Sequence, residues 1–192
     1  MRVAMLAGLG LIGGAVAYRY RAGTVQAATD AIDMVKGNLM QTGIDLENAN
    51  LRAFLRMIRY SEGTDGAHGY RMLFGGRLFS GYADHPRISV RASGYTSTAA
   101  GAYQILSRTW DDVRDGLKDF GPASQDEAAA RLIRRRGALD DVYAGRFADA
   151  VRKVAREWAS LPGSPYGQPV RTMAQVTAAY AAAGGSFGSM TT

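Results

Sequence analysis

Not one cysteine occurs in the 192 residues of this chain, so a disulfide framework and a thiolate metal site are both excluded. Histidine is almost as scarce. With only His68 and His85, a zinc site would need two or more carboxylates from elsewhere, and neither a metal nor a cofactor is expected. An aromatic-rich basic groove and a helix-turn-helix pattern are also lacking, so nucleic acid is not expected as a partner. Long hydrophobic runs are missing except at the N-terminus, where residues 3–17 carry no charge.

Charge of one sign is in excess, and it is unevenly placed. The net charge is +6. Residues 1–50 hold four basic and four acidic side chains, so the whole excess lies in residues 51–192. A basic surface suits an anionic polymer, anionic lipid or nucleic acid, and equally a merely soluble arginine-rich protein. The length leaves room for one domain of roughly 100–150 residues plus an appendage.

The appendage comes first. At about 1.5 Å per residue, residues 3–17 span about 22 Å as a helix, short of the roughly 30 Å of a bilayer core. Arg2, Arg19 and Arg21 flank the run, Tyr18 and Tyr20 suit an interface, and four glycines weaken its hydrophobicity. It is expected to be a hydrophobic signal-anchor helix (residues 1–21) that meets the membrane through residues 3–18, a secretory signal, or a segment buried in a larger assembly. Residues 22–48 are small and polar with a weak stripe of Ile32, Val35 and Leu39, and are expected to form a partly helical tether. A domain over 49–187 and a tail over 188–192 complete the expected organisation.

That domain is organised around Ser61-Glu62-Gly63-Thr64-Asp65. Leu51, Phe54, Leu55 and Ile58 repeat at i, i+3, i+4 and i+7, which predicts an amphipathic helix over Asn50 to Tyr60. Gly63 stands where the helix needs a left-handed stop. Glu62 therefore lies at the helix end, where the macrodipole disfavours the ionised carboxylate. A proton kept near neutrality is what a general acid requires; an exposed glutamate at a helix end is the plainer alternative.

Residues 66–94 are rich in glycine and aromatics without helical period. Leu73 to Phe79 reads as a hairpin turning on Gly75-Gly76, and Asp84-His85-Pro86-Arg87 as a turn. Helical patterns then return four times. Ser107 can cap a helix with Trp110, Val113 and Leu117, and Ser124 with Glu127 forms a capping box for one to about Arg136. Phe147 to Trp158 lines one face of the next, and Thr172 with Gln175 caps the last. Trp110 and Trp158 fall on apolar stripes, so both are expected in the core, while Arg134-Arg135-Arg136 reads as a solvated face. The fold class is α+β, mainly helical, with a small β-hairpin region.

Phe54-Leu55-x-Met57, Ser61 to Asp65, His68-Gly69-Tyr70, Asp84 to Arg87, Ser97-Thr98 with Gly101-x-Tyr103-Gln104, Leu106-Ser107-Arg108, Arg136 to Leu139, and Trp158 to Gly163 with Tyr166-Gly167-Gln168 occur collinearly. Together they resemble the lambda-type phage lysozymes from about Leu51 to Gly185. The resemblance implies a lysozyme-like domain and a lytic transglycosylase acting on peptidoglycan glycan strands. Glu62 would protonate the β-1,4 bond between N-acetylmuramic acid and N-acetylglucosamine, then take the proton of the muramic C6 hydroxyl, giving a 1,6-anhydro product. An ordinary glycosidase would instead need a second carboxylate at about 5–5.5 Å or about 6.5–9.5 Å. Asp65 and Asp84 are the sequence candidates, although each also suits a turn.

The same resemblance implies substrate contacts for Gln104, Tyr103, Tyr166, His68 and Ser97. The Gln104 amide can bond an N-acetyl group and the Tyr103 ring can stack on a sugar, the alternative for both being core packing. Tyr166 would close the cleft from the far side, and His68 could bond a sugar or brace its loop. The sequence departs from a member of the family in a loop several residues shorter between Asp65 and His68, in Arg71 where that member has an acidic side chain, and in Thr109 in place of the first of two tryptophans. These departures bear on subsite affinity and leave Glu62 intact. The implied biology is an endolysin exported to the inner membrane or periplasm. The alternatives are a virion component of the same chemistry, in contact with other virion proteins inside the particle, a true muramidase, or a non-catalytic glycan-binding module.

Overall fold

The computed structural model describes residues 43–188, and the predicted amphipathic helix is the first element among them, in the compact unit that begins at Leu46. The expected hydrophobic helix of residues 1–21 and nearly all of the tether lie outside the described residues, as does the tail beyond Gly188. Helix α1 spans Ala49–Glu62, and the Asn48 side chain caps it by accepting from the Leu51 amide. Its apolar stripe, Leu51, Phe54, Leu55 and Ile58, is buried. This stripe makes α1 the axis of the domain.

The other helices follow as α2 (Ser107–Val113), α3 (Pro122–Arg135), α4 (Leu139–Tyr143), α5 (Phe147–Val154) and α6 (Met173–Ala182). Helix α1 packs against α3, α4 and α6. Phe54, Phe147, Tyr180 and Phe187 form an aromatic cluster there, with Phe147 and Tyr180 stacked at 4.6 Å. Asn50 fastens the C-terminal segment to this core, since its Oδ1 accepts from the Ser186 amide at 2.9 Å and its Nδ2 donates to Tyr143 O at 3.1 Å. A second cluster, Phe79, His85, Trp110 and Phe120, lies under the β region. Both tryptophans are buried, as expected.

Several boundaries differ from the sequence reading for local reasons. The only named strands among the described residues, β1 (Val90–Ala92) and β2 (Tyr95–Ser97), pair antiparallel with Ala92 opposite Tyr95. Their two-residue turn, Ser93-Gly94, has positive φ at both positions, 50° and 81°, which matches the twist of a hairpin. The expected Gly75-Gly76 hairpin is a tight turn closed by one isolated bridge, Met72 to Leu78. Helix α2 stops at Val113 because the chain turns at Gly116 (φ 74°), so Leu117 lies outside it. Helix α3 begins at Pro122, whose missing N–H costs nothing in a first turn; Ser124 is inside that turn and donates to Asp119 at 2.9 Å rather than capping. The short α4 carries no full helical period and was not predicted. Arg135 and Arg136 are not a purely solvated face either: both pair with Glu157, at 2.9 and 2.7 Å. The capping box of Thr172 and Gln175 forms as predicted.

Candidate active site

Glu62 is the last residue of α1, and Gly63 (φ 72°) supplies the left-handed stop. The Gly63 amide returns to Tyr60 O and the Thr64 amide to Arg59 O, which satisfies the terminal carbonyls. Two further contacts fix the turn. The Thr64 hydroxyl donates to Ala102 O, tying the helix end to the 101–104 turn. Gly69 packs so closely that a Cβ there would fall 1.8 Å from Thr64 O.

Glu62 is neither fully buried nor exposed. Ser160, in the loop after α5, donates its hydroxyl to Glu62 Oε1 at 2.6 Å. Burial pushes the carboxyl up from 4.5 to about 7, and the Ser160 hydrogen bond offsets part of that rise. A group held there can give a proton and take it back near neutrality.

The 101–104 turn contributes Gln104, which adopts φ 47°. Its Nε2 donates to Gly101 O at 3.0 Å and to Met72 O at 3.3 Å. Both amide hydrogens are thereby engaged, and Oε1 has no hydrogen-bond donor among the described residues. Tyr103 is placed differently from the sequence expectation of a sugar-stacking ring. Only 1% of it is exposed, so the ring has no face open to a sugar. Its hydroxyl donates to Asp126 at 2.6 Å, and its carbonyl accepts from Trp158 Nε1 at 3.1 Å. The residue braces the turn that carries Gln104 and anchors it to the loop that carries Ser160.

The remaining candidates are more dispersed. Ser97 lies at the end of β2, where its Oγ accepts from the Ala99 amide. Exposed His68 precedes the single turn of 3-10 helix at Gly69–Arg71. Tyr166 is 55% exposed and donates to Arg156 O at 2.8 Å. None of these three is hydrogen-bonded to Glu62, whose side-chain partner among the described residues is Ser160.

Both aspartates put forward as partners of Glu62 serve in local structure. Asp65 pairs with Arg56 at 3.1 Å and Arg59 at 3.5 Å. Asp84 accepts from Trp110 Nε1, from Arg114 and from the His85 amide at 2.7–2.8 Å. Partial burial pushes Asp84 up, but these donors outweigh it and hold the group at about 2. Buried His85 bonds Ile105 O through Nε2 and accepts from the Arg87 amide at Nδ1. Among the described residues, no cluster of three His, Asp or Glu side chains is arranged for a metal ion.

Comparison with known proteins decides the family. The family model described as Endolysin matches residues 52–187. The chain belongs to the endolysin family. It is 44% identical over 148 residues to the endolysin of Escherichia phage lambda, covering 72% of this chain and 94% of that one. It is 40% identical over 154 residues to the endolysin of Escherichia phage P2, covering 71% and 93%. A structure of bacteriophage lambda lysozyme complexed with a chitohexasaccharide superimposes with a TM-score of 0.70 at 44% identity, covering 73% of this chain and 97% of that one. A second lambda lysozyme structure gives a TM-score of 0.65 at 41% identity, with the same coverage. The lysozyme-like α+β fold expected from the motifs is the fold of this endolysin domain.

Three of its site-building residues escaped the sequence reading. Ser160 falls inside the Trp158 to Gly163 motif but was given no role there, 98 positions from the carboxylate it touches. Gln125 is fully buried; its Oε1 accepts from the Ala102 amide at 2.8 Å and its Nε2 donates to Phe120 O and Tyr70 O. Gly101 makes room for it, since a Cβ there would meet Gln125 Oε1 at 2.2 Å. Asp126 accepts from the Tyr70 and Tyr103 hydroxyls at 2.8 and 2.6 Å, and burial pushes its carboxyl up against the opposing effect of those bonds. The one available signal was a helix carrying Gln125 where its apolar stripe should continue. Behind this network a cavity of about 410 Å³ is lined by Arg59, Tyr70 and Asp126, away from Glu62.

Proposed function

We propose that this chain is a lytic transglycosylase that cleaves the β-1,4 bond between N-acetylmuramic acid and N-acetylglucosamine in peptidoglycan. The observation that carries the reading is Glu62, a mostly enclosed carboxyl held at about 7, while Asp65 and Asp84 are bound into ion pairs. A retaining or inverting hydrolase needs two working carboxylates. A single carboxyl near neutrality suits a reaction in which one group is acid and then base.

In that sequence neutral Glu62 gives its proton to the glycosidic oxygen as the C1–O bond breaks. The C6 hydroxyl oxygen of the muramic residue then bonds to C1, and its proton returns to the carboxylate. The 1,6-anhydro sugar forms and the enzyme is regenerated without water. The free Oε1 of Gln104 accepts from an N-acetyl N–H, while Ser97, His68 and Tyr166 contact the strand further out. Tyr103 acts through Gln104 rather than by stacking. The oligosaccharide bound by lambda lysozyme supports a glycan ligand.

Mass spectrometry of a peptidoglycan digest tests the chemistry. Fragments lighter by one water than hydrolysis products are expected; free reducing ends would make the protein a muramidase. The uncharged run of residues 3–17 supports export and tethering at the inner membrane, as befits host lysis. The alternative, a virion enzyme for cell-wall penetration, predicts labelled protein on purified particles, which host lysis does not.

A further inference from the structure

We infer that Ser160 is a positioning residue that assigns the proton-carrying role to one oxygen of Glu62, namely Oε2. The inference rests on the reading of Glu62 as acid and then base.

The two carboxyl oxygens are not equivalent. Oε1 accepts from the Ser160 hydroxyl at 2.6 Å, whereas Oε2 has no protein partner among the described residues. A serine hydroxyl carries one hydrogen, so it can mark only one of the two. A hydroxyl donates more strongly to the carbonyl oxygen of a neutral carboxyl than to its O–H oxygen, so the Ser160 bond favours Oε1 as the carbonyl oxygen. With Ser160 as donor, the proton sits on Oε2 and is free to leave. Once it has left, the same hydroxyl stabilises the new carboxylate without turning, and Oε2 is the oxygen that collects the C6 hydroxyl proton. The serine hydrogen stays on the serine throughout.

The donor is held in place from several sides. Ser160 O accepts from the Arg171 amide at 2.8 Å. Its neighbour Leu161 is fully buried, and Trp158, two residues earlier, is buried with its indole N–H on Tyr103 O at 3.1 Å. Thr64 binds the other side of the site to Ala102. Glu62, Ser160 and the turn bearing Gln104 thus share one frame. A donor fixed before the charge appears needs no reorganisation when the charge appears. Ser160 also opposes the burial that raises Glu62, so it sets where the group titrates as well as which oxygen works.

A loop brace would give the same bond a purely structural meaning, and the two roles separate by pH. In the full-length protein with 13C-labelled glutamate carboxyls, Glu62 is identified by the resonance missing in Glu62→Gln. Ser160→Ala is expected to move its titration upward by about one pH unit, the size of a lost hydrogen bond to a charged group. The alkaline limb of kcat/KM on peptidoglycan should move with it, kcat should fall about tenfold, and KM should stay nearly constant. Ser160→Thr, which keeps the hydroxyl, should hold the titration at the wild-type position. An unmoved titration in Ser160→Ala, or the same movement in both variants, overturns the role of Ser160 while an inactive Glu62→Gln leaves the acid–base reading standing. An active Glu62→Gln overturns both.

Discussion

Replacing Glu62 by glutamine should make the protein inactive and, above neutral pH, more stable. The folded state holds this carboxyl at about 7 against an ordinary 4.5, chiefly through burial. Between those two values the unfolded chain has released a proton that the folded chain retains. Native stability therefore falls as pH rises through that window, and the loss is complete above about 7. Each unit of displacement is worth about 1.4 kcal/mol, so full ionisation costs the fold about 3 kcal/mol. Glu62 is not fully buried, and screening brings the expected cost to about 2 kcal/mol.

Glutamine matches the shape, keeps an oxygen for the Ser160 hydroxyl and never ionises. Urea unfolding of wild type and Glu62→Gln at pH 4, 6 and 8 measures the difference directly. The two proteins should agree within about 0.5 kcal/mol at pH 4, and the variant should lead by about 2 kcal/mol at pH 8. Clearing of bacterial walls by the variant should be absent at every pH. A stability difference that does not change with pH, or a variant less stable than wild type at pH 8, would refute the claim that this acid is held neutral by its surroundings.

Asp84→Asn tests the other side of the same accounting. The native group sits at about 2, so its stabilisation is present above the ordinary carboxylate value near 3.8 and fades as pH falls through about 2. The variant should lose about 1–2 kcal/mol at pH 7 by urea unfolding, allowing for a side chain partly open to solvent, with kcat on peptidoglycan unchanged. A hundredfold loss of kcat in a folded Asp84→Asn protein would revive the two-carboxylate mechanism. Gly69→Ala should cost about 2–3 kcal/mol, because its methyl would press on the Thr64 carbonyl oxygen; a denaturation midpoint equal to wild type would show that the 63–69 turn is looser than its geometry implies.

What could be read from the sequence was what is local. The stripe of Leu51, Phe54, Leu55 and Ile58 and the stop at Gly63 define α1 from within fifteen residues, and with it the place of Glu62 at a helix end. The turn chemistry was harder, because glycine pairs attract attention and Ser93, at φ 50° without being glycine, does not. Gly75-Gly76 therefore read as the hairpin while Ser93-Gly94 made it. Long-range contacts left no periodic trace. Ser160 meets Glu62, Asp126 meets Tyr103, and Glu157 draws in Arg135 and Arg136 only after the chain has folded. The family came from collinear motifs, which carry identity but do not say that the Tyr103 ring is turned inward.

The surroundings of the carboxylates explain why Glu62 is the one held near neutrality. Asp84 has the indole N–H, a backbone amide and the Arg114 guanidinium around it, and the sum holds it charged well into acid. Asp126 is more enclosed, has two neutral hydroxyls and feels Arg59 nearby, and burial still raises it. Glu62 has one neutral hydroxyl on one oxygen, and it rises to about 7. Burial raises Glu62 first of all, and a single neutral hydroxyl offsets only part of that rise, so donors set against desolvation separate it from Asp84. On the proposed mechanism, a second donor on Oε2 would lower its titration and occupy the oxygen that the sugar needs, so the same addition that stabilised the carboxylate would end the reaction.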